Sequence, residues 1–238
     1  MGAFAYTFDI ILACHGDSKR WIKSPWIVLV FALLVVPLGI ASLVLMILQP
    51  VVIHAWCTLC LFTVFFMLIL VSFTIDELFP VLQLLIQVKK EGKSVVKTLF
   101  HGEDPALYAT ITKPQKPVFA SLFHGMSFSP TLAICVLLAI WQLASPQIFG
   151  FTGIYADSFH ILGALTLTIS MISMAEPIRA LRYLNFLFGA LSLISTLLWA
   201  EGSTLLLNGI IFSLLLALFS YRRGKIKDSY GVFDPYIK

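Results

Sequence analysis

Long unbroken apolar runs, separated by short polar breaks, set the pattern of this sequence. Residues 1–14 are apolar but fall short of the roughly 20 helical residues a bilayer crossing takes, so they read as half a helix. A polar patch follows, Asp17-Ser18-Lys19-Arg20-Trp21-Ile22-Lys23-Ser24, with Trp21 and Trp26 suited to an interfacial belt. Residues 25–48 carry no charge and predict the first full span, with Pro25 in its first turn and Pro37-Leu38-Gly39 placed to kink it. Gln49-Pro50 reads as a very short turn, with Pro50 opening a second helix over 51–75 that Asp76-Glu77 ends. Residues 78–88, with Gln83 and Gln87 one turn apart, read as a helix along the membrane surface.

A hydrophilic stretch, Lys89 to Lys116-Pro117, divides the chain into residues 1–117 and 118–238. Four shorter apolar runs follow, at roughly 127–144, 159–175, 183–200 and 203–221. They form a loose helix–turn–helix repeat, with Asn185 to Gly189 and Asn208-Gly209 as small or polar marks inside helices. The fold class predicted is therefore all-α: a polytopic helical membrane protein of about six spans plus a short N-terminal half-helix.

Composition agrees with the pattern. The chain is 59% hydrophobic and 12% charged, against roughly half and a quarter in soluble domains. The excess of 4 positive charges has no clustered basic face with interleaved aromatics, which argues for basic loops on anionic lipid and against nucleic-acid binding. Those charges also orient the chain. All 16 Lys and Arg residues fall before the first span or after the second, fourth and sixth, and none falls in the intervening turns. Lysine and arginine gather on the cytoplasmic side, so both termini are expected there. The turn near residue 50 then faces outward.

The outward turn carries the chemistry, His54-Ala55-Trp56-Cys57-Thr58-Leu59-Cys60. Two thiols three residues apart can cycle between dithiol and disulfide, or give two ligands to a soft metal. An outer, oxidising face favours the redox reading over simple packing by two small polarizable residues. With the cysteines expected two to three turns into a helix starting at the outer face, its N-terminal dipole favours thiolate, more so at Cys57. His54, three residues before Cys57 and so expected on the same helical face, is a candidate to stabilise a thiolate or donate a proton; interface anchoring is the blander alternative. Trp56 is suited to stacking on a quinone ring, or to the outer interface belt. Cys14 belongs near the inner face by the same topology, Cys135 has no cysteine partner in sequence, and His101, His124 and His160 show no spacing of a ligand set. Two thiolates and a histidine leave a zinc or cuprous site without an evident fourth ligand, so no metal is assigned.

The stretch Arg20-Trp21, Ser24-Pro25-Trp26, Pro37-Leu38-Gly39, Gln49-Pro50-Val51-Val52 and Ala55-Trp56-Cys57-Thr58-Leu59-Cys60-Leu61 resembles the bacterial vitamin K epoxide reductase family. That resemblance implies a Cys57–Cys60 redox pair at the outer start of the last helix of a four-helix bundle, with Cys60 nearer a lipid quinone, ubiquinone or menaquinone. It makes 25–48 the third core helix, 51–75 the fourth, and 1–14 the inner end of the second. The family's first helix and loop shuttle cysteines have no counterpart here, so electrons are expected from a periplasmic thiol protein or from a second chain completing the bundle. Residues 118–238 resemble SPW-repeat membrane proteins, through Ser145-Pro146-Gln147 with glutamine in place of tryptophan.

The expected function is a quinone-linked thiol–disulfide oxidoreductase of the bacterial inner membrane, as a split or degenerate member of its family. The rival from another class is a non-catalytic membrane scaffold that keeps its cysteines passively, and outward-facing copper or zinc handling is the third reading.

Overall fold

A computed structural model describes residues 20–103 and 129–222. The expected half-helix at 1–14, Cys14 and His124 lie outside those residues. Among the described residues every regular element is helical, and six helices are long and apolar enough to cross a membrane. The protein is an all-α polytopic membrane protein.

A short helix α1 (Arg20–Lys23) leads into α2 (Pro25–Leu48), whose Pro25 sits where a missing amide costs nothing. Helix α2 does not stop at Gln49. It runs on through a wide π-turn, Gln49–Ile53, so the span is 29 residues long and the reversal falls at residues 54–57. The wide turn fits Pro50, which lacks the amide needed to continue a regular ladder. The next helix, α3 (Thr58–Lys90), begins seven residues later than the turn at Gln49-Pro50 predicts.

Helix α3 is also longer than expected, at 33 residues without a break. Asp76 and Glu77 do not end it, and 78–88 is not a separate surface helix. Charged side chains leave backbone hydrogen bonding intact once a helix has passed the apolar layer. The extension has its own packing, with Val81, Leu84 and Val88 fully buried at helical spacing, and it abuts α1 and α4 (Val95–His101). The Glu103 amide donates to the Ile22 carbonyl at 3.1 Å, closing this end of the first half.

The second half forms two helical hairpins. Helix α5 (Pro130–Phe149) keeps Pro146 in its last turns and ends at Gly150, whose φ of 67° supplies the left-handed cap. Only residues 150–153 then separate it from α6 (Ile154–Ile172), a much tighter turn than the 14-residue break expected. A partly buried 3₁₀ segment, Glu176–Tyr183, joins α6 to α7 (Leu184–Trp199), which turns at Ala200 into α8 (Ser203–Tyr221). The polar marks within these helices are contacts between them. Asn185 donates to Ser170 Oγ at 3.0 Å, Asn208 accepts from Trp141 Nε1 at 2.9 Å, and Gly209 lets α8 lie against Thr196 of α7.

The helices before and after residue 117 share one core. Met46 of α2 and Val64 and Leu68 of α3 pack with Leu132, Val136, Ala139 and Leu143 of α5 and Ala164, Leu167 and Met171 of α6. Ser72 of α3 donates to the Met171 carbonyl of α6 at 2.9 Å, within this joint. Two sets of contacts define the ends of the bundle. Arg182, Thr131 and Phe219 meet at one, the end of the basic residues, and Trp56, Gln147 and His160 meet at the other.

Candidate functional site

The cysteine turn is built by Gln49. Its backbone carbonyl accepts from the amide of His54 and, at 3.2 Å, from that of Ala55. Its side-chain Oε1 accepts from the Cys57 amide at 3.3 Å, and the same side chain reaches the Cys60 thiol. One buried glutamine thus satisfies the amides of His54, Ala55 and Cys57 in the reversal. Spacing gave no hint of this role, since Gln49-Pro50 reads equally well as the turn itself.

Cys57 and Cys60 are free thiols in the first turn of α3, not two to three turns inside a helix. Cys57 is the N-cap residue, with extended φ and ψ of −108° and 102°, and its Sγ accepts from the Cys60 amide at 3.3 Å. Sulfur stands here where serine or aspartate usually caps a helix. Cys57 lies in the turn, outside the spans, and its thiol is pushed below the ordinary range. The Cys60 side chain is the largest cause and the Cys60 amide the next. The thiolate preference expected from the helix dipole therefore acts through specific donors at the first turn.

His54 does not share a helical face with Cys57. It precedes α3 altogether, exposed, at a left-handed φ of 52° where it terminates the π-turn. The argument from i to i+3 spacing fails because residues 54–57 are not helical. Trp56 is half-buried and faces the second half of the chain. Its ring meets His160 of α6 edge to face, with centroids 5.3 Å apart. The Gln147 amide, oriented by its partners, accepts from the Trp56 indole nitrogen and donates to the Leu143 carbonyl at 3.2 Å. His160 is 4% exposed, and its Nδ1 has no hydrogen-bond partner among the described residues.

The remaining candidates lie elsewhere. Cys135 is buried between α5 and α8, 3.7 Å from Ser220 Oγ, and His101 ends α4 at the opposite end of the bundle. Among the described residues no three His, Cys, Asp or Glu side chains group as metal ligands.

The architecture and the turn together define a polytopic membrane protein with a dithiol at a helix N-terminus beside an aromatic and a buried imidazole. A family model described as the vitamin K epoxide reductase family matches residues 1–75, about a third of the chain, including both cysteines. No curated protein and no solved structure matches.

Proposed function

We propose that the protein is a membrane thiol–disulfide oxidoreductase that passes electrons between the Cys57–Cys60 pair and a lipid quinone, as a relative of the matched family. The observation that carries this reading is the N-cap geometry of Cys57, a thiol held in donor contact with the Cys60 amide and side chain within the matched residues. The placement of every basic residue away from this turn supports an outward-facing pair in a bacterial inner membrane, with both termini cytoplasmic.

The proposed chemistry starts with attack of an external thiol on the Cys57–Cys60 disulfide. A second thiol of the same donor, a periplasmic thiol protein or a second chain, then resolves the mixed disulfide, which leaves the pair as a dithiol and the donor as a disulfide. Closing the pair again releases two electrons and two protons, for which a quinone, on reduction to the quinol, is the acceptor. The residues present fit such a group. Trp56 offers an aromatic face beside the pair, and exposed Val52, Leu59 and Phe62 offer apolar surface for a lipid tail. In this reading 1–117 is the redox module, and 118–238, with its SPW-repeat likeness, packs against it.

The test is the double substitution Cys57→Ser/Cys60→Ser in the full chain. Thiol-dependent quinone reduction should fall to background, and turnover at the parent rate would sink the proposal.

A further inference from the structure

The end of the bundle away from the cysteines holds a short helix, α4, that the redox reading leaves unused. Four lysines, Lys89, Lys90, Lys93 and Lys97, fall within nine residues there, against one acidic residue, Glu91, and all five are exposed. Helix α4 packs against both α2 and α3, with Thr98 buried on its inner side. Its outer side carries two stripes. Val96 and Phe100, 65% and 60% exposed, lie one turn apart on the apolar stripe. Lys97 and His101, each one residue further on, lie one turn apart on the basic stripe beside it, and Lys93 continues that spacing into the preceding turn.

The fold fixes the depth of this face. Gly102, at a φ of 70°, sits directly against the Lys23 carbonyl, and the Glu103 amide donates to the Ile22 carbonyl at 3.1 Å. Ile22 and Lys23 immediately precede the start of the first span at Pro25, so α4 is tied to the boundary of the apolar spans. Along the basic stripe runs an open depression of about 360 Å³, lined by Lys93, Lys97, Thr98, His101 and Glu103 among others. The acids nearby are engaged within the protein. Glu103 accepts from Thr98 Oγ1 at 2.7 Å, and Glu91 pairs with Lys93 at 3.0 Å. Two such basic faces repel each other, so a second copy of the chain does not suit this one. An apolar stripe beside a basic one, at the edge of the spans, suits an anionic lipid surface.

We propose that α4 is a membrane-surface clasp for anionic phospholipid, with Val96 and Phe100 set into the interfacial layer and Lys93, Lys97 and His101 meeting headgroup phosphate. The clasp is independent of the quinone-linked reading and of which side of the membrane this end faces.

The experiment places the full chain in lipid nanodiscs of phosphatidylcholine alone or mixed with phosphatidylglycerol, and follows hydrogen exchange of residues 95–103 by mass spectrometry. At low salt the anionic lipid should slow exchange about tenfold, and high salt should narrow the difference. Comparing the two lipids within each variant cancels any change in the stability of the helix itself. Lys93→Gln/Lys97→Gln should remove most of the difference between lipids. Phe100→Ser should speed exchange in both lipids and keep most of that difference. Equal exchange of the parent in the two lipids overturns the proposal, as does a parent-like difference in the lysine variant or an unchanged rate in Phe100→Ser. Inorganic phosphate added to phosphatidylcholine nanodiscs should change nothing. Slowing by phosphate equal to that by phosphatidylglycerol would make this a site for soluble anions and overturn the lipid assignment.

Discussion

The Cys60 amide donates to Cys57 Sγ across 3.3 Å, so the second cysteine of the pair holds the first at the mouth of the helix. The Cys60 side chain contributes more than its amide to lowering the Cys57 thiol. Thiolate is the nucleophile, so a lowered value keeps Cys57 reactive to a lower pH. Cys60→Ala removes the side-chain contact and leaves the amide in place. The pH profile of Cys57 alkylation, followed by peptide mass spectrometry, should therefore shift its midpoint upward, part of the way toward an ordinary thiol. An unmoved or lowered midpoint would show that the Cys60 side chain does not tune Cys57.

Gln49 offers a second test of the same turn. Its Oε1 is the acceptor for the Cys57 amide, and its buried position leaves water poorly placed to replace it. Gln49→Leu should cost about 1–3 kcal/mol by stranding a polar group. Thermal unfolding in detergent reads the loss, and faster exchange of the Cys57 amide localises it. Stability equal to the parent would mean the turn is held by the Gln49 carbonyl alone.

His54 was a candidate for chemistry by spacing, and its conformation makes a different prediction. A β-branched residue at a φ of 52° is strained by roughly 1–2 kcal/mol, whereas glycine is at ease there. His54→Val should lower the melting temperature and His54→Gly should hold or raise it. If thiol-dependent turnover survives His54→Gly unchanged, the histidine is a turn residue; a tenfold loss with intact folding would restore its chemical role.

These outcomes also show what was legible along the chain. The six spans could be read because each is an apolar run long enough to cross, and α2 and α8 begin at residues 25 and 203 as their patterns predict. The far end of α3 could not, because Asp76 and Glu77 mark where the helix leaves apolar surroundings and not where its backbone ladder stops. The Cys57–Cys60 spacing was visible, but its N-cap placement depends on a wide turn at Pro50 and a left-handed His54, neither of which leaves a periodic signal. Gln147 and His160 were hidden for another reason. They meet Trp56 only through tertiary packing, about a hundred residues away in sequence, and a histidine within an apolar run shows no pattern of its own.

The close approach of α2 and α3 rests on Gly39. A Cβ there would lie 2.6 Å from Val71 Cγ2, and a β-branched valine has little room to swing away. Gly39→Ala should destabilise the fold by about 1–3 kcal/mol. Trimming the facing side chain should relieve the clash, so Gly39→Ala/Val71→Ala should be more stable than the sum of the two single losses predicts. Strict additivity in thermal unfolding would show that the helices separate to accommodate the methyl.

At the opposite end from the cysteines, Arg182 is fully buried and ties three elements together. From the 3₁₀ segment its Nη2 donates to the Phe219 carbonyl at 2.7 Å and to Thr131 Oγ1 at 2.9 Å. Phe219 lies in the last turn of α8, where carbonyls have no partner within the helix, so the guanidinium acts as a C-terminal cap supplied from outside. Arg182→Met keeps much of the volume but strands the Phe219 carbonyl, at about 1–3 kcal/mol for the group left unpaired, while the Thr131 hydroxyl keeps Ser129 as a partner. Arg182→Lys should recover only part of this, because the lysine stem is shorter and its ammonium must reach both acceptors that Nη2 now serves. Limited proteolysis near Arg222 should accelerate in the order parent, lysine variant, methionine variant. Equal rates in all three would mean that α8 is held by its contacts with α5 and α7 without Arg182.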